Sequence, residues 1–310
     1  MAVLFQREAS NPILTAEDMP YAAEAVLNPG VTEQEGEVVL LLRVEERTGR
    51  SNIHIARSKD GVSNWRIEKA PLLQHGLPAN RYETWGCEDA RITWLESEKC
   101  WYVVYTAYSD AGAAVALART CDLEKVERIG LIFPPNNKDA ALFPEKFGER
   151  WAALHRPDAG GGVENIWIAY SPDLTHWGDP HLVLTEGQGP AWDAVTVGTG
   201  PPPVRTRLGW LLLYHGVKMY GGNRVYRVGA ALLDPEHPYR VIARAPGNLF
   251  KPTAVYETSG IMPNVVFPTG WVHRGDQLWI YYGAADTCIG LAFADIEAIL
   301  AAFGPEIAAT

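Results

Sequence analysis

The chain has 310 residues, a formal net charge of −10 and a sequence pI near 5.3, a length that fits one large all-β or α/β-barrel unit or two ordinary domains. Because 37 acidic residues outnumber 27 basic ones, the composition argues against the phosphate-tracking surface typical of nucleic-acid-binding proteins. The 11 Trp, 13 Tyr, 29 Gly and 22 Pro residues favour strands and turns over long helices, so we expect a mostly β protein.

The start of the chain and its cysteines favour a cytoplasmic protein. Residues 1–8 lack a basic segment followed by a long apolar core, so they do not predict a secretion signal. No apolar run approaches the roughly 20 residues of a membrane-spanning helix. The four cysteines, Cys87, Cys100, Cys121 and Cys288, form no CxxC pair and no group with metal-ligand spacing. We therefore expect reduced thiols, no disulfide framework and no metal site.

A strand-like segment recurs five times along the chain. Each copy runs through apolar residues into a small residue and then a turn-forming Asp, as in residues 53–60 (IHIARSKD) and 166–173 (IWIAYSPD). The equivalent alanines are Ala56, Ala118, Ala169, Ala230 and Ala292. The intervals between them are 62, 51, 61 and 62 residues, and self-similarity at such a long period is typical of repeat architectures.

Other strand-like runs surround each copy. A second run precedes it, at residues 38–44, 101–106, 151–155, 210–215 and 279–282. A third begins earlier still, at Asn28, Asp89, Asp139, Thr199 and Asn264. A fourth follows some copies, as at residues 65–70 and 181–184. Four antiparallel strands repeated five times predict a five-bladed β-propeller that forms one domain over residues 1–310. Two β-sandwich domains are the alternative.

A short helix is predicted near the end of the chain, over residues 295–303. Asp295 is suited to cap it, and Ile296, Ile299 and Leu300 form one apolar stripe. We expect this helix to pack beneath a blade.

The polar residues that open the innermost strands define the predicted site. Innermost strands line the axis of a propeller, so the five residues from Asn28 to Asn264 named above are expected to share one central cavity. Hydrogen-bonding groups with a few aromatic residues suit a sugar, which presents hydroxyls at its edge and C–H groups on its face. The alternative is that these residues only satisfy strand ends and bound water.

The sharpest local motif is at residues 82–93, YETWGCEDARIT, where two acids and an arginine open the second innermost strand. Neighbouring side chains of a strand point to opposite faces, so Glu88 and Asp89 are not expected to flank one bond as the carboxylates of an ordinary inverting glycosidase do. One of them at most is then the acid. The alternative is that Asp89 and Arg91, on the same face, simply form an ion pair.

Basic residues occupy comparable places near the ends of the blades. They are Arg43, Lys138, His155, Arg156 and His215. An acidic protein that gathers cations in one region is suited to hold an anion, and Arg and Lys bind phosphate through forked and point-charge contacts. The alternative is that each of them pairs with a nearby carboxylate.

Six motifs, in order along the chain, carry a family resemblance. They are residues 86–91 (GCEDAR), 137–146 (NKDAALFPEK), 154–157 (LHRP), 168–177 (IAYSPDLTHW), 214–217 (YHGV) and 263–268 (PNVVFP). From about Asn11 to its end the chain resembles glycoside hydrolase family 130, the β-mannoside phosphorylases and related β-mannosidases. The resemblance implies a five-bladed propeller, in agreement with the repeat count, and inverting cleavage by a single displacement.

The resemblance also implies roles for individual residues. Asp89 matches the acid of the family motif Gly-x-Glu-Asp-Pro-Arg and would protonate the glycosidic oxygen through a hydroxyl of the bound mannose. Ala90 stands where the family usually has Pro, which removes no chemical group. The residues implied to bind inorganic phosphate are Lys138, Arg156, His215 and Tyr226. Those assigned to the sugar substrate are Asn28, Arg43, Glu88, Asp139 and Asp286.

Phosphorolysis is favoured over hydrolysis. Inverting hydrolysis needs a carboxylate base about 6.5–9.5 Å from the acid, with a water between them, whereas phosphate arrives as an anion that cations orient. The retained basic set predicts a reversible β-mannoside phosphorylase that releases α-mannose 1-phosphate and needs no cofactor. Because Asp139, Asp193 and Glu164 remain candidate bases, an inverting β-mannosidase is the first alternative. A non-catalytic sugar-binding propeller is the second.

The predicted partners are therefore small molecules, a β-mannoside and phosphate, and neither nucleic acid nor a membrane. Self-association is left open. Linkage and chain length are expected to depend on three loops, at residues 160–164, 219–224 and 256–262.

Overall fold

The computed structural model describes residues 4–160 and 162–308. Outside these ranges lie the first three residues of the segment 1–8, Gly161 of the loop 160–164, and residues 309–310 of the predicted domain.

The described residues form a five-bladed β-propeller, which confirms the fold predicted from the repeat spacing. The chain opens with β1 (Gln6–Arg7). Blade 1 contains β2 (Ala25–Gln34), β3 (Glu37–Glu45), β4 (Ser51–Ser58) and β5 (Arg66–Ile67). Blade 2 contains β6 (Gly86–Leu95), β7 (Cys100–Ser109), β8 (Gly112–Thr120) and β9 (Glu127–Phe133). Blade 3 contains β10 (Asn137–Leu142), β11 (Trp151–Pro157), β12 (Ile166–Ser171) and β13 (Gly178–Leu184).

Blades 4 and 5 complete the ring. Blade 4 contains β14 (Thr196–Thr199), β15 (Val204–Thr206), β16 (Gly209–Tyr220), β17 (Asn223–Leu233) and β18 (Val241–Arg244). Blade 5 contains β19 (Val266–Arg274), β20 (Gln277–Ala284) and β21 (Cys288–Asp295), with β1 as its fourth strand. The helical segments are two 3₁₀ turns, Ala16–Asp18 and Arg81–Glu83, and three short helices, α1 (Val255–Thr258), α2 (Ile296–Ala301) and α3 (Pro305–Ala308).

Strand β3 shows why the inner parts of the blades are apolar on both faces. Val38, Leu40 and Leu42 pack against blade 5, whereas Val39 and Leu41 pack against blade 2. A strand buried on both faces shows a continuous apolar run instead of alternation. Comparable hydrophobic clusters fill the interfaces between blades 2 and 3, 3 and 4, and 4 and 5, so burial of apolar surface holds the ring together at every junction.

The ring closes through the first strand of the chain, a feature that the repeat pattern does not indicate. β1 pairs antiparallel with β21, with Gln6 opposite Phe293 and Arg7 opposite Ala292. The guanidinium of Arg7 also donates to the buried carboxylate of Glu257, at 2.7 and 2.8 Å. Joining the two ends of the chain in one blade covers an edge that would otherwise be exposed.

The expectation of reduced thiols and no disulfide is wrong for one pair of cysteines. Cys100 opens β7 and Cys121 directly follows β8, and these two strands pair antiparallel with Trp101 opposite Thr120. The register therefore brings the two cysteines side by side, and they form a disulfide. Cys87 and Cys288 are free and buried.

The predicted helix near the end of the chain is confirmed as α2. The side chain of Asp295 caps it by accepting a hydrogen bond from the Ala298 N–H at 2.9 Å, and Ile299 and Leu300 are buried. Across residues 4–160 and 162–308, no helix has the length and apolar character needed to cross a membrane.

Candidate active site

The innermost strands of blades 1, 2 and 3 carry a β-bulge at the same place. The pairing register shifts between Leu27 and Gly30 in β2, and equivalent shifts occur in β6 and β10. The polar residues at the three shifts, Asn28, Asp89 and Asp139, have φ angles of 47°, 50° and 51°. Asn and Asp tolerate this left-handed region better than other non-glycine residues. Bulges re-aim side chains, and these three converge on one cavity at the axis.

The bulge overturns the prediction that Glu88 and Asp89 point to opposite faces. Alternation holds only for a regular strand, and with the left-handed backbone at Asp89 both side chains line the cavity. Nη2 of Arg43 lies 3.2 Å from the Glu88 carboxylate and Nη1 lies 3.1 Å from that of Asp89. The alternative Asp89 to Arg91 ion pair is not formed. Arg91 instead donates to the backbone oxygen of Asp89, at 2.7 Å.

The cavity has a volume of about 240 Å³, and all ten predicted site residues line it. They are Asn28, Arg43, Glu88, Asp89, Lys138, Asp139, Arg156, His215, Tyr226 and Asp286. Two other candidates do not line it. The backbone oxygen of Thr199 accepts from Arg91 at 3.2 Å, and that of Asn264 accepts from the Tyr226 N–H at 3.0 Å. His155 is also absent from the lining; it stacks on Phe133 at 4.0 Å.

One side of the cavity, which we call the acidic wall, comes from blades 1, 2 and 5. It consists of Asn28, Arg43, Glu88, Asp89 and Asp286. The Asn28 amide donates to Oδ1 of Asp89 at 2.9 Å, so this carboxylate is held by both Asn28 and Arg43. Burial raises the pKa of Asp286 to about 6. The negative charges of Asp89 and Glu45 raise this pKa further, and the positive charge of Arg43 only partly opposes the rise. Burial likewise raises the pKa of Glu88, against the effect of Arg43.

The other side, the cationic wall, comes from blades 3 and 4. It consists of Lys138, Asp139, Arg156, His215 and Tyr226. Asp139 is its centre: Nε of Arg156 lies 2.6 Å from its carboxylate, Nη2 of Arg91 lies 3.4 Å away and Nε2 of His215 lies 3.6 Å away. Burial alone would raise the pKa of Asp139, but Arg156, His215 and Arg91 outweigh it and lower that pKa well below its usual range.

His215 differs from the other basic residues of the cationic wall. Burial lowers the pKa of its imidazole to about 3, even though Asp139 acts in the opposite direction. The ring is therefore neutral near pH 7 and offers a hydrogen bond instead of a positive charge. It packs against the rings of Tyr226 and Phe267, with centroid distances of 5.9 and 4.5 Å, and those two rings also contact each other at 6.4 Å.

Two glycines allow the close approach of side chains around the cavity. A Cβ at Gly198 would lie 2.2 Å from Cε1 of His215 and 2.6 Å from Oδ2 of Asp139, and a Cβ at Gly283 would lie 1.8 Å from Oδ1 of Asn28. Real Cβ contacts are longer than this, so either glycine replaced by alanine would displace a wall residue.

The chain is similar to known proteins over most of its length. A family model described as "beta-1,4-mannooligosaccharide phosphorylase" matches residues 7–303. The chain belongs to glycoside hydrolase family 130. It is 36% identical to a β-1,2-mannobiose phosphorylase from Listeria innocua, over 91% of this chain and 93% of that protein. It is 30% identical to a β-1,4-mannooligosaccharide phosphorylase from Ruminococcus albus, over 95% of this chain and 89% of that protein.

A solved structure supports the same assignment to family 130. The β-1,2-mannobiose phosphorylase from Listeria innocua, in complex with β-1,2-mannobiose, superposes with a TM-score of 0.88 at 34% identity. The match covers 96% of this chain and 99% of that one. The five-bladed fold is therefore shared over almost the entire length of both chains.

Several cavity residues of this family 130 chain are not individually predicted as site residues from its sequence. They are Thr196, Arg224, Met262, Val265 and Phe267. Arg224 could have been found, because it stands two residues before Tyr226 on β17 and side chains two apart lie on the same face of a strand. Arg224 and Met262 also end two of the loops, 219–224 and 256–262, that are expected to affect linkage and chain length, although the strand pattern does not show that their side chains line the cavity.

Of the three candidate hydrolytic bases, two line the cavity and one does not. Asp193 does not line it; its carboxylate accepts from Arg244 at 2.6 Å and from the Tyr214 hydroxyl at 3.0 Å. Asp139 and Glu164 both line it, and Arg156 contacts both. Among the described residues, no group of three or more His, Cys, Asp or Glu side chains is arranged to hold a metal ion.

Proposed function

We propose that this chain is an inverting β-mannoside phosphorylase, which cleaves the terminal β-mannosidic bond of a manno-oligosaccharide with inorganic phosphate. One observation carries the proposal: a single cavity at the axis joins an acidic wall around Asp89 to a cationic wall around Arg156. The first suits a neutral sugar and a proton donor, and the second suits an anion.

Asp89 is the proposed proton donor. Its carboxyl group is oriented by Asn28 at 2.9 Å and Arg43 at 3.1 Å, and its backbone is held in the bulge of β6. A general acid must be fixed within reach of the atom that it protonates. The other members of the acidic wall, Glu88 and Asp286, offer oxygen atoms that suit hydroxyl groups of the sugar.

The cationic wall is the proposed phosphate site. Nε of Arg156 is held by Asp139 and Nη1 contacts Glu164, so a forked contact with phosphate oxygens uses the two Nη groups and displaces Glu164. Lys138 adds a point charge. Neutral His215 and the hydroxyl of Tyr226 add hydrogen bonds without adding charge. Side chains held in place before the substrate arrives stabilise developing charge without reorganisation.

The proposed reaction is one displacement at the anomeric carbon. A phosphate oxygen forms a bond to C1 as the bond from C1 to the glycosidic oxygen breaks. A hydroxyl of the bound mannose gives its proton to that oxygen and takes a proton from Asp89. The products are α-mannose 1-phosphate and the shortened sugar. Because the nucleophile enters opposite the leaving group, the configuration at C1 inverts. The reverse reaction uses the same groups.

Hydrolysis is less well supported because the carboxylates on the phosphate side are engaged by cations. Asp139 is surrounded by Arg156, Arg91 and His215, which keep its pKa low and make it a weak base. Glu164 is in contact with Arg156. A base that activates water needs a free carboxylate facing the anomeric carbon, so Glu164 would first have to leave Arg156.

The test is incubation of the purified protein with β-1,2- and β-1,4-mannobiose, each with and without phosphate. Both linkages are used because relatives named for each match the chain. The proposal expects turnover only with phosphate. Equal release of mannose without phosphate would indicate a β-mannosidase, and measurable sugar binding with no turnover would indicate a sugar-binding protein.

A further inference from the structure

Two exposed aromatic rings lie at the end of blade 2 from which the polar residues enter the cavity. Trp85 directly precedes β6, and Tyr108 is near the end of the antiparallel strand β7. Each keeps 39% of its surface exposed, which is high for rings of this size. The rings meet edge to face, with centroids 5.3 Å apart and an angle of 74°. We call these two residues the aromatic pair.

The backbone of the aromatic pair is connected to the acidic wall. The Trp85 N–H donates to the Tyr108 carbonyl at 2.9 Å, and the Trp85 carbonyl accepts from the Ser51 N–H at 3.3 Å. The hydroxyl of the same Ser51 accepts from Arg43 at 3.1 Å, and Arg43 contacts Asp89. Trp85 is three residues from Glu88, which corresponds to about 10 Å along a strand.

A buried ion pair anchors the segment that carries Trp85. Glu83, two residues earlier, is buried and accepts from Nε of Arg128 at 2.9 Å and from the Tyr105 hydroxyl at 2.5 Å. Its backbone oxygen accepts from the Gly76 N–H at 2.9 Å. An exposed aromatic ring on a fixed backbone loses little conformational entropy when a ligand stacks on it.

The direction of the reaction decides which part of the ligand reaches the aromatic pair. An inverting displacement requires phosphate and the leaving group to lie on opposite sides of the anomeric carbon. If phosphate binds at the cationic wall of blades 3 and 4, the leaving sugar extends away from it, toward blades 1 and 2. The aromatic pair belongs to blade 2, and Trp85 stands four residues before Asp89, just outside the group of residues that line the cavity.

We propose that Trp85 and Tyr108 form a further sugar-binding subsite, which stacks on the mannosyl unit that follows the two units joined by the cleaved bond. The apolar C–H face of a pyranose matches the face of an indole or phenol ring. This inference rests on the proposed function, because the direction in which the leaving sugar extends follows from phosphate attacking the opposite side of the anomeric carbon.

The experiment measures binding by calorimetry in the Asp89→Asn variant, which removes turnover from the measurement. The ligands are β-1,2- and β-1,4-linked mannobiose and mannotriose. In the linkage series that binds, the trisaccharide is expected to bind about tenfold more tightly than the disaccharide, which corresponds to one stacked ring. Adding Trp85→Ala or Tyr108→Ala removes most of this advantage and leaves disaccharide affinity within about twofold.

Two further variants keep the test specific. Trp85→Phe retains a ring and is expected to keep part of the trisaccharide advantage. Trp94→Ala is the control, because Trp94 is on the same strand β6 at the end away from Asp89; it is expected to leave the advantage unchanged. Melting temperatures of all variants report whether they fold.

Three results would overturn the subsite. They are equal affinity for the two chain lengths in the Asp89→Asn background, a Trp85→Ala variant that weakens both ligands equally, and failure of both mannoside series to bind. The proposed function is tested separately, because phosphate-dependent turnover of the disaccharide by the wild-type protein does not involve the aromatic pair.

Discussion

The two walls of the cavity use charged residues in opposite ways. In the acidic wall a single guanidinium, that of Arg43, contacts both Glu88 and Asp89, with the carboxyl of Asp286 nearby. In the cationic wall a single carboxylate, that of Asp139, is surrounded by Arg156, Arg91 and His215. On each side one residue of one charge contacts two of the opposite charge: Arg43 contacts Glu88 and Asp89, and Asp139 contacts Arg156 and Arg91, while His215 is neutral.

This contrast explains how an acidic protein can bind an anion. The net charge of −10 is a property of the whole chain, but the local field at the cationic wall is set by residues within a few ångströms, because charges beyond about 10 Å are screened by salt. Splitting the cavity into two regions of opposite character separates the proposed proton donor, Asp89, from the proposed phosphate site. Substitutions in one wall are therefore expected to have effects distinct from those in the other.

The largest effect is expected for Asp89→Asn, which removes the acid and keeps the shape of the acidic wall. Turnover should fall by about a thousandfold, because a positioned general acid contributes about 10² to 10⁴, while the sugar still binds. Glu88→Gln is the matched control, since Glu88 lines the same cavity and contacts the same Arg43. Steady-state kinetics with mannobiose and phosphate measure both variants. Similar losses in the two variants, or retained turnover in Asp89→Asn, would show that Asp89 is not the acid.

The next effect concerns Arg156→Lys, which keeps the charge of the cationic wall but removes the forked contact. The KM for phosphate should rise by about tenfold or more, with the KM for the sugar little changed. Arg91→Lys is the control, because Arg91 is buried and also contacts Asp139 but does not line the cavity. If the two variants raise the KM for phosphate equally, Arg156 acts only by positioning Asp139.

A smaller effect is expected for Glu164→Gln. The carboxylate of Glu164 contacts Arg156 and so competes with phosphate for the same guanidinium. Removing its charge should lower the KM for phosphate about threefold. Initial rates over a range of phosphate concentrations measure this. A hydrolase that used Glu164 as its base would instead lose turnover in this variant, which distinguishes the two accounts.

The smallest effect concerns Asp286→Asn and stability. The pKa of Asp286 is raised from 3.8 to about 6, mainly by burial, so its ionised form opposes folding. This penalty is absent below pH 3.8, grows between pH 3.8 and 6, and is complete above pH 6. The variant should therefore melt about 3 °C higher than the wild type at pH 7.5 and at the same temperature near pH 4.

Thermal unfolding at the two pH values measures this difference. Asp276→Asn, at an exposed carboxyl in the turn between β19 and β20, is the control and should change neither melting temperature. An equal change for Asp286→Asn at both pH values would contradict the assigned cause.

The fold was predictable from the sequence because the blade pattern repeats. Apolar runs such as Val38 to Leu42 are dictated by burial between two neighbouring blades, which leaves a signal in every unit. Closure of the ring by β1 was not predictable in this way. This strand consists only of Gln6 and Arg7, which is too short to show a repeating apolar pattern. The disulfide between Cys100 and Cys121 depends on hairpin register, which pairwise cysteine spacing alone does not reveal.

The sequence predicts which residues belong to the site better than it predicts how they are arranged. The family motifs identify residues such as Asp89 and Arg156, and both line the cavity. The motifs do not reveal the bulge that brings Glu88 and Asp89 together, because strand alternation assumes a regular backbone and Asp89 adopts a left-handed one. They also do not reveal that His215 is neutral, because its pKa depends on burial by residues distant in sequence.

The central claim is that phosphate, held by the cationic wall, is the nucleophile. It is tested most directly by running the reaction with mannobiose and phosphate labelled with oxygen-18, and by analysing the product by NMR and mass spectrometry. The account predicts α-mannose 1-phosphate whose oxygen between C1 and phosphorus carries the label. Unlabelled free mannose as the first product, or a β-configured phosphate ester, would contradict it.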